Sequence, residues 1–123
     1  MKRRFRLTRA TDFKRVRRFG KSYAHPLIVL VTLPNEEMTV QVGVAASRSV
    51  GKAVDRNLAK RRIRSAVAAI FSDIRPGWKI IILARKPIVN AEFKEIQAAL
   101  ARLLKEAGLL VEVKNGCQER ISE

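Results

Sequence analysis

The chain has 123 residues, with 26 Lys/Arg against 11 Asp/Glu, a net charge of +15. Apolar residues make up 47%, which excludes a disordered basic tail and suits one domain with a modest core. A charge this large calls for a polyanion, nucleic acid before an acidic membrane, and no apolar run is long enough to cross a bilayer.

The charge is segregated. Residues 1–25 hold ten Lys/Arg and one acid, residues 48–64 hold seven and one, and the rest carries nine of each sign. Two basic segments on an otherwise neutral domain read as a built surface. No apolar signal-peptide core follows the basic N-terminus. The single Cys117 cannot form an internal disulfide, which points to a reducing cytoplasm.

The inventory argues against chemistry by the chain's own side chains. His25 is the one histidine, and it precedes Pro26 at the start of an apolar run, so it reads as a strand-entry residue and not a general base. One His and one Cys cannot build a zinc site. Glu36 and Glu37 read as solvated turn residues. The expectation is no catalytic residue and no metal ligand on the protein.

In chain order, residues 1–7 read as a basic extended arm. Thr8 caps a first helix over roughly 9–19, with Phe13 and Val16 inward and Gly20 as its stop. Tyr23–His25 adds a short strand. Leu27–Leu33, dense in β-branched residues, is the next, and Pro34–Glu37 its turn. Thr39–Ala46 alternates Val40, Val42 and Val44, and the short connection implies an antiparallel pair with the strand before it. A long helix covers about 53–73, closed by Pro76-Gly77. Trp78–Ala84 is a buried strand, with Trp78 packed. Pro87 and Asn90 open a last helix, Asn90 as cap. Its core stripe is Phe93, Ile96, Leu100, Leu103, Leu104 and Ala107, and Gly108 ends it. Residues 109–123 read as a frayed tail, Leu109–Val113 pairing weakly. The result is an α+β fold: a single-domain α-β sandwich over 1–123, order α-β-β-β-α-β-α.

The helix over 53–73 carries the chemistry. With Val54 at zero, Ala59, Ile63, Ala66, Val67 and Ile70 fall on a core face between about 120° and 260°. Arg56, Lys60 and Arg64 follow at about 200°, 240° and 280°, one stripe at i, i+4, i+8, with Asn57 and Arg61 beside it. Charge at core angles implies that the helix start projects past the sheet. With Asp55 as the one nearby acid, these donors suit the phosphates of a polyanion, and affinity should fall steeply with salt. Arg48 and Lys52, around Ser47, Ser49 and Gly51, add to the same edge. A merely solvated basic helix would be expected to carry acidic partners at i, i+4.

Arg56-Asn57, Lys60-Arg61 and Arg64, after Val42-Gly43 and Gly51–Val54, resemble the signature of the bacterial ribonuclease P protein subunit. Arg6-Leu7, Asp12-Phe13, Gly20–Ser22 and Ile81–Pro87 agree with that family in order, so the resemblance spans about 6–107. Two positions depart from it: Leu58 stands where the family usually has a basic residue, and Ser65 where it often has an acid. Both lie off the stripe.

The resemblance implies a sheet of about four strands with a left-handed βαβ crossover, against the usual right-handed rule. It implies an RNA-binding subunit that assists a catalytic RNA in removing the 5′ leader from precursor tRNA, with Mg2+ held through the RNA. Partners are then ribonuclease P RNA and precursor tRNA, in a 1:1 particle with monomeric protein, in the cytoplasm and not at a membrane. RNA-binding positions carry over to Arg48, Lys52, Arg56, Asn57, Lys60, Arg61 and Arg64. A cleft between the first helix and the sheet receives the leader at Phe13. Arg17 and Val31 stand there where family members have aromatics, leaving less stacking surface and more charge. Phe13 suits base stacking and core packing equally. Arg85 and Lys86 leave the last strand where RNA or water could meet them. A structural ribosomal protein or general RNA chaperone is the alternative, and a self-sufficient nuclease a weaker one.

Overall fold

A computed structural model of the chain describes residues 6, 7 and 9–110. The expected Thr8 cap, the first five residues of the arm and the tail from 111 onward, Cys117 included, lie outside the described residues. The elements are α1 (Ala10–Phe19), β1 (Lys21–Ala24), β2 (Ile28–Pro34), β3 (Val40–Ala46), α2 (Ala53–Ile70), β4 (Trp78–Ala84) and α3 (Phe93–Glu106). Short 3-10 turns at Arg48–Val50, Phe71–Asp73 and Lys86–Asn90 join them.

The four strands form one sheet in the order β1-β2-β4-β3. This corrects the expected β2–β3 pair. β4 lies between them, antiparallel to β2 and parallel to β3, with α2 as the crossover from β3 to β4. Burial explains the placement. Ile80, Ile81 and Ile82 are at most 1% exposed, and only a central strand covers both faces of such a run. The connection from Asn35 to Thr39 steps over the start of β4. Asn35 N–H donates to the Gly77 carbonyl at 2.8 Å, and Gly77 N–H to the Thr39 carbonyl at 3.0 Å.

Period-two alternation gives the sheet two apolar faces. Leu30, Val42, Ile80 and Ile82 face α2 and α3, meeting Ile63, Val67, Ile96, Leu100 and Leu103 in the main core. Val31 and Ile81 face the other way and are buried with Val16 of α1 and Leu7. The end of the basic arm is therefore structural: Leu7 N–H donates to the Val42 carbonyl at 2.8 Å, and Arg6 bridges Val42 in parallel, covering the outer edge of β3.

Three local expectations change. Glu92, not Asn90, is the N-cap of α3, in a reciprocal capping box with Glu95, while Pro87 and Asn90 belong to the preceding turn. Phe93, placed on the core stripe by periodicity, is 38% exposed, because the first residue of α3 overhangs the sheet; the buried stripe is Ile96, Ala99, Leu100, Leu103 and Leu104. The tail does not begin to fray at 109. Leu109 is buried, Arg75 N–H donates to its carbonyl at 2.7 Å, and Leu110 bridges Ile74.

Candidate nucleic-acid interface

The approach to α2 is fixed by Val50, whose buried side chain anchors the Arg48–Val50 turn. Ser47 and Ser49 hold each other through their hydroxyls at 2.7 Å. Gly51 follows at φ 149°, and the Asp55 side chain lies over it, so close that a Cβ there would meet the carboxylate. The one acid of the helix start thus sits in the first turn, where the helix dipole favours a carboxylate, and enters no ion pair with the basic edge among the described residues.

Arg56, Lys60 and Arg64 form the stripe read from the wheel, while Asn57, Arg61, Arg48 and Lys52 are exposed beside it. The stripe does not stand clear of the sheet as expected. All three of its side chains are half-buried, on a helix that packs against β3. Arg64 shares a depression of about 230 Å³ with Arg6, Leu7, Phe13, Val42, Gly43 and Val44. Among the described residues the Nε of Arg56 is the one buried side-chain nitrogen or oxygen without a hydrogen-bond partner. A buried donor left unpaired costs about 1–3 kcal/mol, a cost that the folded chain carries at this position.

On the opposite sheet face, α1 crosses with Phe13 and Arg17 one turn apart on the same side. The outer edge of the Phe13 ring lies against Gly43: a Cβ there would fall 2.5 Å from its Cζ and 2.8 Å from its Cε2. Two residues along β3, Ala45 helps floor a second depression of about 400 Å³, with Val29, Leu83 and Ala84 and a rim of Arg17, Ser47 and Arg85. Arg85 is held there by an Nη1 hydrogen bond to the His25 carbonyl at 3.3 Å. Asp12, the acid of α1, is drawn to Lys79 at 3.8 Å on the other flank and leaves the Arg17 side cationic.

The two depressions follow one another along β3, one with Arg64 and Phe13 and the next with Arg17 and Arg85, and are together termed the trough. Arg64 of the helix edge and Phe13 of the cleft line the same depression beside β3. Val31 is not part of the trough. It is 3% exposed beneath Val16, and Val29, its neighbour on the same face, takes the open position. Val29, Ala45 and Leu83 were not singled out from sequence, although strand alternation puts all three on the α1 face. Arg85 reaches the trough, whereas Lys86 is exposed outside it. His25 is a turn residue, its Nδ1 accepting the Leu27 N–H at 3.1 Å. No group of three or more His, Cys, Asp or Glu gathers among the described residues.

Comparison with known proteins decides the family. The family described as Ribonuclease P matches residues 1–108. The chain belongs to the ribonuclease P protein family. It is 39% identical to the ribonuclease P protein component of Herpetosiphon aurantiacus, over 97% of both chains, and 38% identical to that of Listeria innocua, over 94% of this chain and 98% of the relative. The solved ribonuclease P protein of Staphylococcus aureus superposes with a TM-score of 0.79 at 33% identity, covering 86% of this chain and 97% of the other. That of Thermotoga maritima gives 0.75 at 28%, covering 82% and 96%. Family membership carries the coarse function: an RNA-binding subunit of an endoribonuclease that serves tRNA 5′ processing, associated with ribonuclease P RNA. No helix among the described residues is long and apolar enough to cross a membrane.

Proposed function

We propose that the chain grips ribonuclease P RNA along the α2 edge, through Arg48, Lys52, Arg56, Asn57, Lys60, Arg61 and Arg64. It takes the single-stranded 5′ leader of precursor tRNA in the trough, with Phe13 and Arg17 as the leader contacts and Arg85 at the far rim. Cleavage and its Mg2+ ions belong to the RNA, in a 1:1 cytoplasmic particle. The observation that carries this reading is the stripe of Arg56, Lys60 and Arg64 beside exposed Arg48, Lys52 and Arg61, a cationic edge with no acid partner among the described residues. Guanidinium groups meet phosphate oxygens in paired hydrogen bonds, which suits the arginines of this edge to an RNA backbone. In the trough, a base can lie on the Phe13 ring or the Arg17 plane while Arg85 attracts the backbone.

The experiment is cleavage of precursor tRNA at low magnesium by a bacterial ribonuclease P RNA, alone and with this protein. Correct 5′ maturation only with both is the expected result. Cleavage by the protein alone would overturn the assignment of chemistry to the RNA. Absence of rescue with RNA binding intact would favour a ribosomal or chaperone role. Phe13→Ala tests the trough separately: affinity of the assembled enzyme for leader-bearing substrate should fall about fivefold or more, with mature tRNA little affected. Equal losses for both would make Phe13 a packing residue only.

A further inference from the structure

Six large apolar side chains stand exposed among the described residues, and four of them stand on adjoining segments, the first turns of α2 and the passage into α3: Val54 at 76%, and Leu58, Val89 and Phe93 at 38% each. Val54, Leu58 and Arg62 succeed one another at i, i+4, i+8 along α2, on the flank away from the basic stripe. Arg62 Nη1 donates to the carbonyl of Ala91 at 3.1 Å, and Val89 and Phe93 flank Ala91 two residues to either side. That bond holds the start of α3 against α2. The Lys86–Asn90 turn also packs on the Arg48–Val50 turn that leads into α2, so it runs beside the first turns of the helix. Buried Ile88, Ala91 and Ile96 already anchor these segments, so packing does not require the outer four.

The Glu92–Glu95 capping box sets Phe93 as the first residue of α3, and Glu92 also lies 3.7 Å from Lys94, so both acids at this end are engaged. Lys52, Arg61 and Lys86 are exposed nearby, none of them in an ion pair among the described residues. A second copy of a +15 chain would bring like charge against these cations. A neutral apolar peptide would leave them without counter-charge. The occupant that suits both features is anionic and presents flat apolar faces.

We propose that Val54, Leu58, Val89 and Phe93 form a docking platform for an unpaired nucleobase of the partner RNA, with flanking phosphates on Lys52, Arg61 and Lys86. This rests on the reading that α2 binds ribonuclease P RNA. It makes α2 a two-sided element: one flank holds phosphates through charge, the other holds a base through apolar contact. The two contributions differ in salt response, because counterion release accompanies phosphate contacts and not base stacking.

The test is affinity for ribonuclease P RNA across a KCl series, for the unmodified protein, a Leu58→Ser/Phe93→Ser double variant, Val54→Ser and Lys60→Ala. The double variant is expected to lose about tenfold in affinity at every salt concentration, with an unchanged slope of log affinity against log salt. Val54→Ser, at the most exposed position and so harmless to the fold, should lose less but in the same manner. Lys60→Ala should instead flatten the slope by about one unit. Unchanged affinity of both serine variants, beside tight and salt-steep binding by the unmodified protein, overturns this proposal alone. A loss that comes with a flatter slope also overturns it, since the platform would then act through the basic edge. Loss of self-association with RNA affinity unchanged would give the face to a second copy. Failure of the unmodified protein to bind the RNA would overturn the reading on which the proposal rests.

Discussion

Replacing Arg56, Lys60 and Arg64 together by alanine is expected to weaken binding to ribonuclease P RNA by about a hundredfold or more, and to lower the salt slope by about three units. The three side chains lie on one flank of α2, spaced by single turns, with no acid among the described residues neutralising them. The folded protein should not suffer in proportion. Arg56 Nε is already buried without a partner, so removing it relieves a cost that the free chain carries. Arg56→Met is therefore expected to leave thermal stability equal or slightly raised while RNA affinity falls. Titration of RNA binding over a salt series, beside a thermal melt of the free protein, reads both effects. A melt that drops by many degrees with RNA affinity intact would show that the edge is structural.

The second large effect is expected at Gly20. A Cβ there would fall 2.4 Å from the Val16 carbonyl oxygen, 2.7 Å from the Thr32 carbonyl oxygen and 2.7 Å from the Val31 side chain. Two of those three neighbours are backbone, which cannot rotate aside. Gly20→Ala must lift the end of α1 off β2, opening the small core of Leu7, Val16, Val31 and Ile81. Overpacking of this kind costs about 1–3 kcal/mol, and partial exposure of Val16 adds to it, so a loss of about 3 kcal/mol is expected in denaturant unfolding. The trough should fail with it, because Phe13 and Arg17 ride on α1. Leader discrimination would then disappear even where the variant remains folded, while the α2 edge still binds RNA. Unfolding at the wild-type midpoint would show that the helix end has room to move.

The helices and strands were readable because their apolar residues repeat at clean periods. Ile96, Leu100, Leu103 and Leu104 mark α3, and the Ile80–Ile82 run marks the central strand. Pairing was not readable in the same way. A short connection suggests that neighbours in the chain are neighbours in the sheet, yet Asn35–Thr39 is long enough to clear one strand at about 4.8 Å per step. The cap of α3 was misplaced because Asn at a helix start is the stronger local signal; the reciprocal Glu92 and Glu95 bonds are visible only in three dimensions. The α2 stripe was legible from angle alone. The depression that Arg64 shares with Phe13 was not, since it depends on Leu7 covering β3 and on Gly43 leaving room for the ring. Val31 and Val29 share a face, and only the position of Val16 above the sheet decides which of them is open.

The place of β4 between β2 and β3 has a consequence for how the chain acquires its fold during synthesis. When β2 and β3 have left the ribosome, β4 has not, and the strand that pairs with both of them is made only after α2. The native sheet holds no direct β2–β3 pair, so its centre cannot close until Trp78–Ala84 is present, and both pairings of that strand span long stretches of chain. The late-emerging Trp78–Ala84 segment is thus the piece on which completion of the sheet waits.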